Sequence, residues 1–339
     1  MMSLISCTIE DIEYIPFYQD AIYLLDADGN NKQKIIDVNI CRNVQFIPNS
    51  NKILFMTARF DGSYMEQIHT INTDGSDSTQ ISHNYLLRED QPAISEDGTK
   101  IVFWALDETR DADYDLFLTD PLGLEIINLT NTQGESEKDA SFIHYQNQEY
   151  LLYVTYSSIN NSEFSTISIM NTTTFEVDTL YVEEVEDVHR YLGFRKPIYD
   201  SNNDILFSMF DYSLLEYSSL ESGDSTYIST CGLISPMELS INNQLLFYLN
   251  GIRKYDYSLN QIEINFFVDG YWFDSLNEEV IYSSGRHLSD SDIFSIKLDG
   301  SQNMMLAEDG IYPRFSDDGT QIVYIGQYVT NPRRNLITN

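Results

Sequence analysis

Toward the end of the chain stands Phe315-Ser316-Asp317-Asp318-Gly319-Thr320-Gln321-Ile322-Val323-Tyr324. It reads as the close of one strand, a tight turn and the start of the next strand. Glycine supplies the positive φ that such a turn needs. The aliphatic pair and the aromatic that follow suit a strand buried on both faces.

The pattern recurs along the chain, as a turn, two aliphatic residues, then Phe or Tyr. It appears as Ile53-Leu54-Phe55, Ile101-Val102-Phe103, Leu151-Leu152-Tyr153, Ile205-Leu206-Phe207, Leu245-Leu246-Phe247, Val280-Ile281-Tyr282 and Ile322-Val323-Tyr324. The aromatic positions are 48, 50, 54, 40, 35 and 42 residues apart. Such spacing fits one four-stranded blade per repeat, for which about 40–50 residues is usual. A short strand precedes the signature, often with proline near its start, as at Pro92, Pro197, Pro236 and Pro313. A third strand follows, such as Leu116-Phe117-Leu118. A second turn, such as Asp299-Gly300, leads to a fourth, such as Met304-Met305-Leu306.

The two ends are complementary. Ala21-Ile22-Tyr23-Leu24-Leu25 reads as a third strand and Lys34-Ile35-Ile36 as a fourth, while the far end carries only the first two strands of a repeat. An open end would leave sheet edges and apolar faces in water. The fold expected is therefore all-β: a seven-bladed β-propeller of four-stranded antiparallel blades. Six blades are complete and one is shared, with the ring closed by N-terminal strands pairing with C-terminal strands. Residues 19–330 form this domain, and 1–18 and 331–339 are tails.

The stretches Phe315 to Tyr324, Ile94-Ser95-Glu96-Asp97-Gly98-Thr99-Lys100-Ile101-Val102-Phe103 and Ile71-Asn72-Thr73-Asp74-Gly75-Ser76 resemble the repeat of TolB-like propellers. The resemblance covers residues 19–330 and is weakest from 138 to 266. It implies a rigid ring whose loops and central channel bind proteins or small ligands. Oligogalacturonate lyases resemble the same ring, with a metal held by several histidines. That makes a metal-dependent polysaccharide lyase or hydrolase the alternative reading. The histidines here are His69, His83, His144, His189 and His287, with no H-x-H or H-x3-H pair. The G-x-S-x-G elbow of the hydrolase domain that prolyl-oligopeptidase-like propellers carry is absent from the sequence.

Composition narrows the partners. The chain of 339 residues carries 53 acidic and 19 basic residues, a net charge of −34. A field of that sign repels nucleic acid and polyanionic glycans. It leaves a protein, a neutral glycan or a metal cation. No run of about 18 apolar residues encodes a membrane helix. Leu4-Ile5-Ser6-Cys7 resembles a lipoprotein lipobox, although only six residues precede Cys7. This gives an expectation of an exported protein, periplasmic or at the surface of a bacterium, lipid-anchored through Cys7 in a longer native form. Cys41 and Cys231 lie in distant repeats, and no disulfide is expected.

Asp111, Asp113 and Asp115 have D-x-D-x-D spacing, which can gather hard oxygen ligands for Ca²⁺. Arg59 and Arg286 occupy matching repeat positions, with Asp61 and His287 beside them, and are candidate binding residues on the loops. The acidic segment 181–194, with Glu183, Glu184, Glu186 and Asp187, reads as a surface loop or short helix inserted in the repeat. No catalytic residue is assigned.

Overall fold

The computed structural model describes residues 17–60, 64–82, 86–107, 113–160, 162–185, 193–210, 213–217, 220, 225–229, 237–240, 244–248, 251–256, 261–285 and 291–330. Among them run β1 (Phe17–Asp26) and β2 (Gln33–Val38), and then six blades. Blade 1 is β3 (Cys41–Phe46), β4 (Lys52–Phe60), β5 (Tyr64–Asn72) and β6 (Thr79–Gln80). Blade 2 is β7 (Leu86–Ile94), β8 (Ile101–Asp107), β9 (Tyr114–Thr119) and β10 (Ile126–Asn128). Blade 3 is β11 (Glu135–Tyr145), β12 (Gln148–Ile159), β13 (Ser162–Asn171) and β14 (Val177–Val185). Blade 4 is β15 (Phe194–Asp200), β16 (Ile205–Phe210), β17 (Ser213–Tyr217) and β18 (Ser225–Ser229). Blade 5 is β19 (Met237–Ser240), β20 (Gln244–Tyr248), β21 (Ile252–Asp256) and β22 (Gln261–Val268). Blade 6 is β23 (Phe273–Leu276), β24 (Glu279–Ser283), β25 (Ile293–Lys297) and β26 (Met304–Ala307), and β27 (Gly310–Phe315) and β28 (Gln321–Thr330) complete the described chain.

Seven four-stranded sheets result. Counted as units of consecutive chain, however, the blades number six and not seven. The remaining sheet, ordered β2-β1-β28-β27, is a composite of the two ends. No sheet closes on itself, because a flat antiparallel sheet of four strands keeps two edges. What joins the sheets is side-chain packing. Seven apolar clusters fill the spaces between neighbouring sheets, the largest built on Ile22, Val44, Ile53 and Val323 between the composite sheet and blade 1. The signature residues supply these clusters, and all of them except Ile205 are buried.

A second correction concerns residues 181–194. The rim strand β14 runs on through Val185, so the first five residues of the supposed loop are strand, and residues 186–192 lie outside the described ones. The acidic residues of this strand are exposed on both of its faces, as a strand at the sheet edge allows.

In the composite sheet β1 pairs with β28 over ten residues, from Phe17↔Thr330 to Asp26↔Gln321. Tyr23 stacks on Tyr324 at 5.5 Å between ring centroids. Gly326 makes that stack possible: a Cβ there would stand 2.7 Å from the Tyr23 ring. Gly326→Val should therefore destabilise the chain by about 1–3 kcal/mol through overpacking. Tyr23→Ala in that background should restore part of the loss. Denaturant melts of the two single variants and the double variant measure this coupling, and simple additivity would mean that the two residues do not meet.

First strands of adjacent sheets lie against one another, β7 with β11, β11 with β15, and on round through β15, β19, β23 and β27 to β3. They stand at the centre, and the fourth strands form the rim.

Candidate ligand cleft on blade 3

Blade 3 is larger than its neighbour. Its strands have 11, 12, 10 and 9 residues, against 9, 7, 6 and 3 in blade 2. Among the described residues, part of the blade 3 face that looks toward blade 2 therefore has no strand opposite it. Side chains alternate across a sheet, so one row in two belongs to this face. The rows run from centre to rim as Glu137, Thr155, Thr166 and Val182, and as Glu135, Ser157 and Phe164. They line a cleft of about 680 Å³, together with Tyr153, Ser168, Met170 and, from the loop after β10, Leu129, Thr130 and Thr132. That volume is in the range of small-ligand sites.

Glu137 is 1% exposed. Its Oε1 accepts a hydrogen bond from the Thr132 hydroxyl at 2.6 Å. Its Oε2 is buried without a hydrogen-bond partner among the described residues. Burial pushes this carboxyl up to about 7; the Thr132 and Thr130 hydroxyls pull it back, and the charges of Asp115 and Glu135 push it further up. The Tyr153 hydroxyl is also pushed up, by burial first and then by Glu137.

The loop that walls the cleft is held by the aspartates singled out for calcium. Asp115 is 3% exposed. It accepts from Asn128 Nδ2 at 2.7 Å, the Thr132 backbone N–H at 3.2 Å and the Thr130 hydroxyl at 3.4 Å. Asp113 accepts from the Gly134 N–H at 2.8 Å. Both carboxylates thus serve as acceptors for the donors of this loop. Asp111 lies outside the described residues. Among the described residues no three His, Cys, Asp or Glu side chains are grouped to hold a metal ion. Asp115→Ala leaves three donors without their acceptor and should lower stability by about 2–4 kcal/mol, read in urea unfolding. Asp115→Asn should cost less, since one amide oxygen remains.

A second polar constellation lies at the centre of the ring. The residue facing the middle aliphatic of each signature is Gln45, Ala93, Ser141, Tyr199, Glu238, Asp274 or Arg314. Three consecutive sheets thus carry charge at one repeat position. Arg314 Nη1 lies 2.5 Å from Glu238 Oε1 and 3.8 Å from Asp274 Oδ1, and donates to the Phe273 carbonyl at 2.8 Å. Asp274 Oδ2 accepts the Phe315 N–H at 2.7 Å. Burial and the Asp274 charge hold the Glu238 carboxyl well above its ordinary range, against the pull of Arg314. The cluster ties three sheets together around one guanidinium that two acidic side chains share.

Of the remaining sequence candidates, the described histidines His69 and His144 join neither constellation. Arg59 lies on β4 opposite Met65, and its side chain is outside the described ones. Asp61, Arg286, His287 and Cys7 lie outside the described residues, as do His83 and His189. His69 Nε2 is 3.1 Å from the Thr57 hydroxyl, and its ring stacks on Phe55. His144 Nδ1 is 3.3 Å from Glu96 on a different blade. Glu137 was passed over in the sequence reading. Its available signal was the polar alternation Thr155, Ser157 and Thr166, Ser168 in strands that are otherwise apolar.

No family model matches the chain, and no curated protein matches it in sequence. Solved structures do resemble it. An oligogalacturonate lyase from Vibrio parahaemolyticus has 11% identity and a TM-score of 0.60, over 92% of this chain and 98% of that one. The propeller domain of the Trilobed protease from Pyrococcus furiosus has 13% identity and a TM-score of 0.57, over 86% and 87%. A putative TolB from Agrobacterium tumefaciens has 11% identity and a TM-score of 0.50, over 93% and 100%. At such identities the likeness is one of fold: the chain has the β-propeller architecture of TolB-like and related proteins.

Proposed function

We propose that this protein is a non-enzymatic binding scaffold, exported to the periplasm or cell surface and anchored by lipid at Cys7. Its propeller holds the blade 3 cleft open for a protein segment or a small ligand. The lining of that cleft carries the reading. Hydroxyls of Thr130, Thr132, Thr155, Ser157, Thr166 and Ser168 alternate with apolar side chains, and among the described residues no histidine, cysteine, lysine or arginine contributes. A cleft so lined offers hydrogen bonds and apolar contact. Among the described residues it offers no cation to receive a uronate carboxylate.

The test is a binding screen of defined peptides and neutral oligosaccharides by calorimetry. Wild type should bind at least one, and Thr166→Trp, which fills the cleft floor, should lose it without a change in melting temperature. The reading fails if no compound distinguishes the two proteins. It fails equally if the protein cleaves an oligogalacturonate in the presence of a divalent metal and loses that activity on His69→Ala or His144→Ala.

A further inference from the structure

Among the described residues, the ionisable groups that line the cleft are Glu135, Glu137 and Tyr153, and none is basic. Asp115 of blade 2 stands close enough to Glu137 to repel its charge. A Glu137 carboxylate is therefore surrounded by like charge and holds one oxygen without a partner. A buried charge in that position is uncompensated until a cation arrives. Between Glu137 near the axis and the rim, the cleft passes Met170, Phe164, Val177 and Val182. The outer passage alternates these apolar side chains with the hydroxyls of Thr166, Ser168 and Thr179, and the inner end is an acceptor.

This arrangement complements a charged nitrogen on a hydrocarbon stem. The N–H donors would reach Glu137 Oε2 and the threonine hydroxyls, and the methylenes would lie on the apolar residues. We propose that the blade 3 cleft is a binding site for a primary ammonium on an aliphatic stem, as a lysine of a basic protein segment presents it, with Glu137 as its counter-charge. The proposal rests on the cleft being the functional face. It also fits a chain of net charge −34, whose field gathers cations.

A proton is linked to this binding. Glu137 holds its proton near neutral pH, and an ammonium binds the carboxylate, so association sends one proton to bulk water. Affinity should therefore rise with pH up to the titration of Glu137 and level off above it. The charged or titratable groups facing Glu137 are Asp115 from β9, Glu135 from its own strand and Tyr153 from β12.

Calorimetry with n-hexylammonium chloride at pH 6 and pH 8 tests this, with 1-hexanol as the neutral analogue and an acetylated, amidated lysine peptide as competitor. Hexylammonium should bind several-fold to about tenfold more tightly at pH 8, the most that one linked proton gives across a titration near neutrality. Hexanol should bind at least about tenfold more weakly at pH 8, for want of the charge-assisted hydrogen bond. The lysine peptide should compete, and its norleucine counterpart should not. Glu137→Gln, which keeps an acceptor for Thr132, should abolish both the preference and the pH dependence, and its melt at pH 6 shows that it folds. Equal binding of hexanol and hexylammonium, or an unchanged Glu137→Gln, overturns the proposal. Either result leaves the scaffold reading standing, which falls only if Thr166→Trp matches wild type for every compound of the binding screen.

Discussion

Arg314→Ala is expected to destabilise the protein by about 1–3 kcal/mol at pH 7, the range for losing hydrogen bonds to charged groups, because the side chains of this ion pair are partly exposed, 29% for Arg314 and 19% for Glu238. The substitution takes away the only cation that touches Glu238 and Asp274 among the described residues. It also strips the Phe273 carbonyl of a donor. Two carboxylates then face each other across the junction of blades 5 and 6. Both would shed charge by taking up protons, so the loss should shrink as pH falls toward 4. Combining Arg314→Ala with Glu238→Gln should recover much of it, because the amide removes the orphaned charge. Arg314→Lys should not restore full stability, since an ammonium is more strongly hydrated than a guanidinium and gains less from this partly buried site. Guanidinium unfolding at pH 7 and pH 4.5 measures all four proteins. A cost below about 1 kcal/mol at pH 7 would place the cluster with ordinary surface ion pairs.

Stability should fall with rising pH through Glu137, and Glu137→Gln should remove that fall. In the unfolded chain this carboxyl releases its proton near its ordinary value of 4.5, whereas in the fold it holds on up to about 7. The folded state is thus the better proton binder between those values. Its advantage is complete below pH 4.5, declines through the interval and is gone above 7. The difference amounts to at most about 3 kcal/mol, from 1.36 kcal/mol for each unit of displacement. The net charge of −34 adds a general decline with pH that both proteins share. The curves of wild type and variant should therefore run together near pH 4.5 and part by pH 8, with the variant the more stable. Parallel curves across the range would mean that Glu137 is solvated.

The blade pattern was legible because one physical demand repeats. The second strand of each blade is buried on both faces, so Ile322-Val323-Tyr324 and its counterparts carry no polar residue. Hairpin turns next to it need positive φ, as Gly98 and Gly319 show at +73° and +68°. The composite sheet could likewise be read from two half-repeats. What composition could not convey was how far a strand extends. β14 runs through Glu183 and Glu184, which look like loop residues because this rim strand is wetted on both faces. The overhang of blade 3 over blade 2, and with it the cleft, is a difference in strand length that no periodicity reports. Asp113 and Asp115 were noticed for their spacing, yet what their oxygens hold is the loop from Asn128 to Gly134, thirteen to twenty-one residues further along. Arg314, Glu238 and Asp274 share a repeat offset, but the meaning of that offset depends on knowing that first strands meet at the axis.

The carboxyl at the inner end of the cleft can be followed directly. Carbon-13 detection of glutamate side-chain carboxyls, with Glu137→Gln to assign the signal, reads its titration in the folded protein. The expected midpoint is about 7, the value to which burial and the neighbouring acids push it. A midpoint near the ordinary 4.5 would contradict a buried, uncompensated Glu137, and with it the chemistry assigned to the cleft.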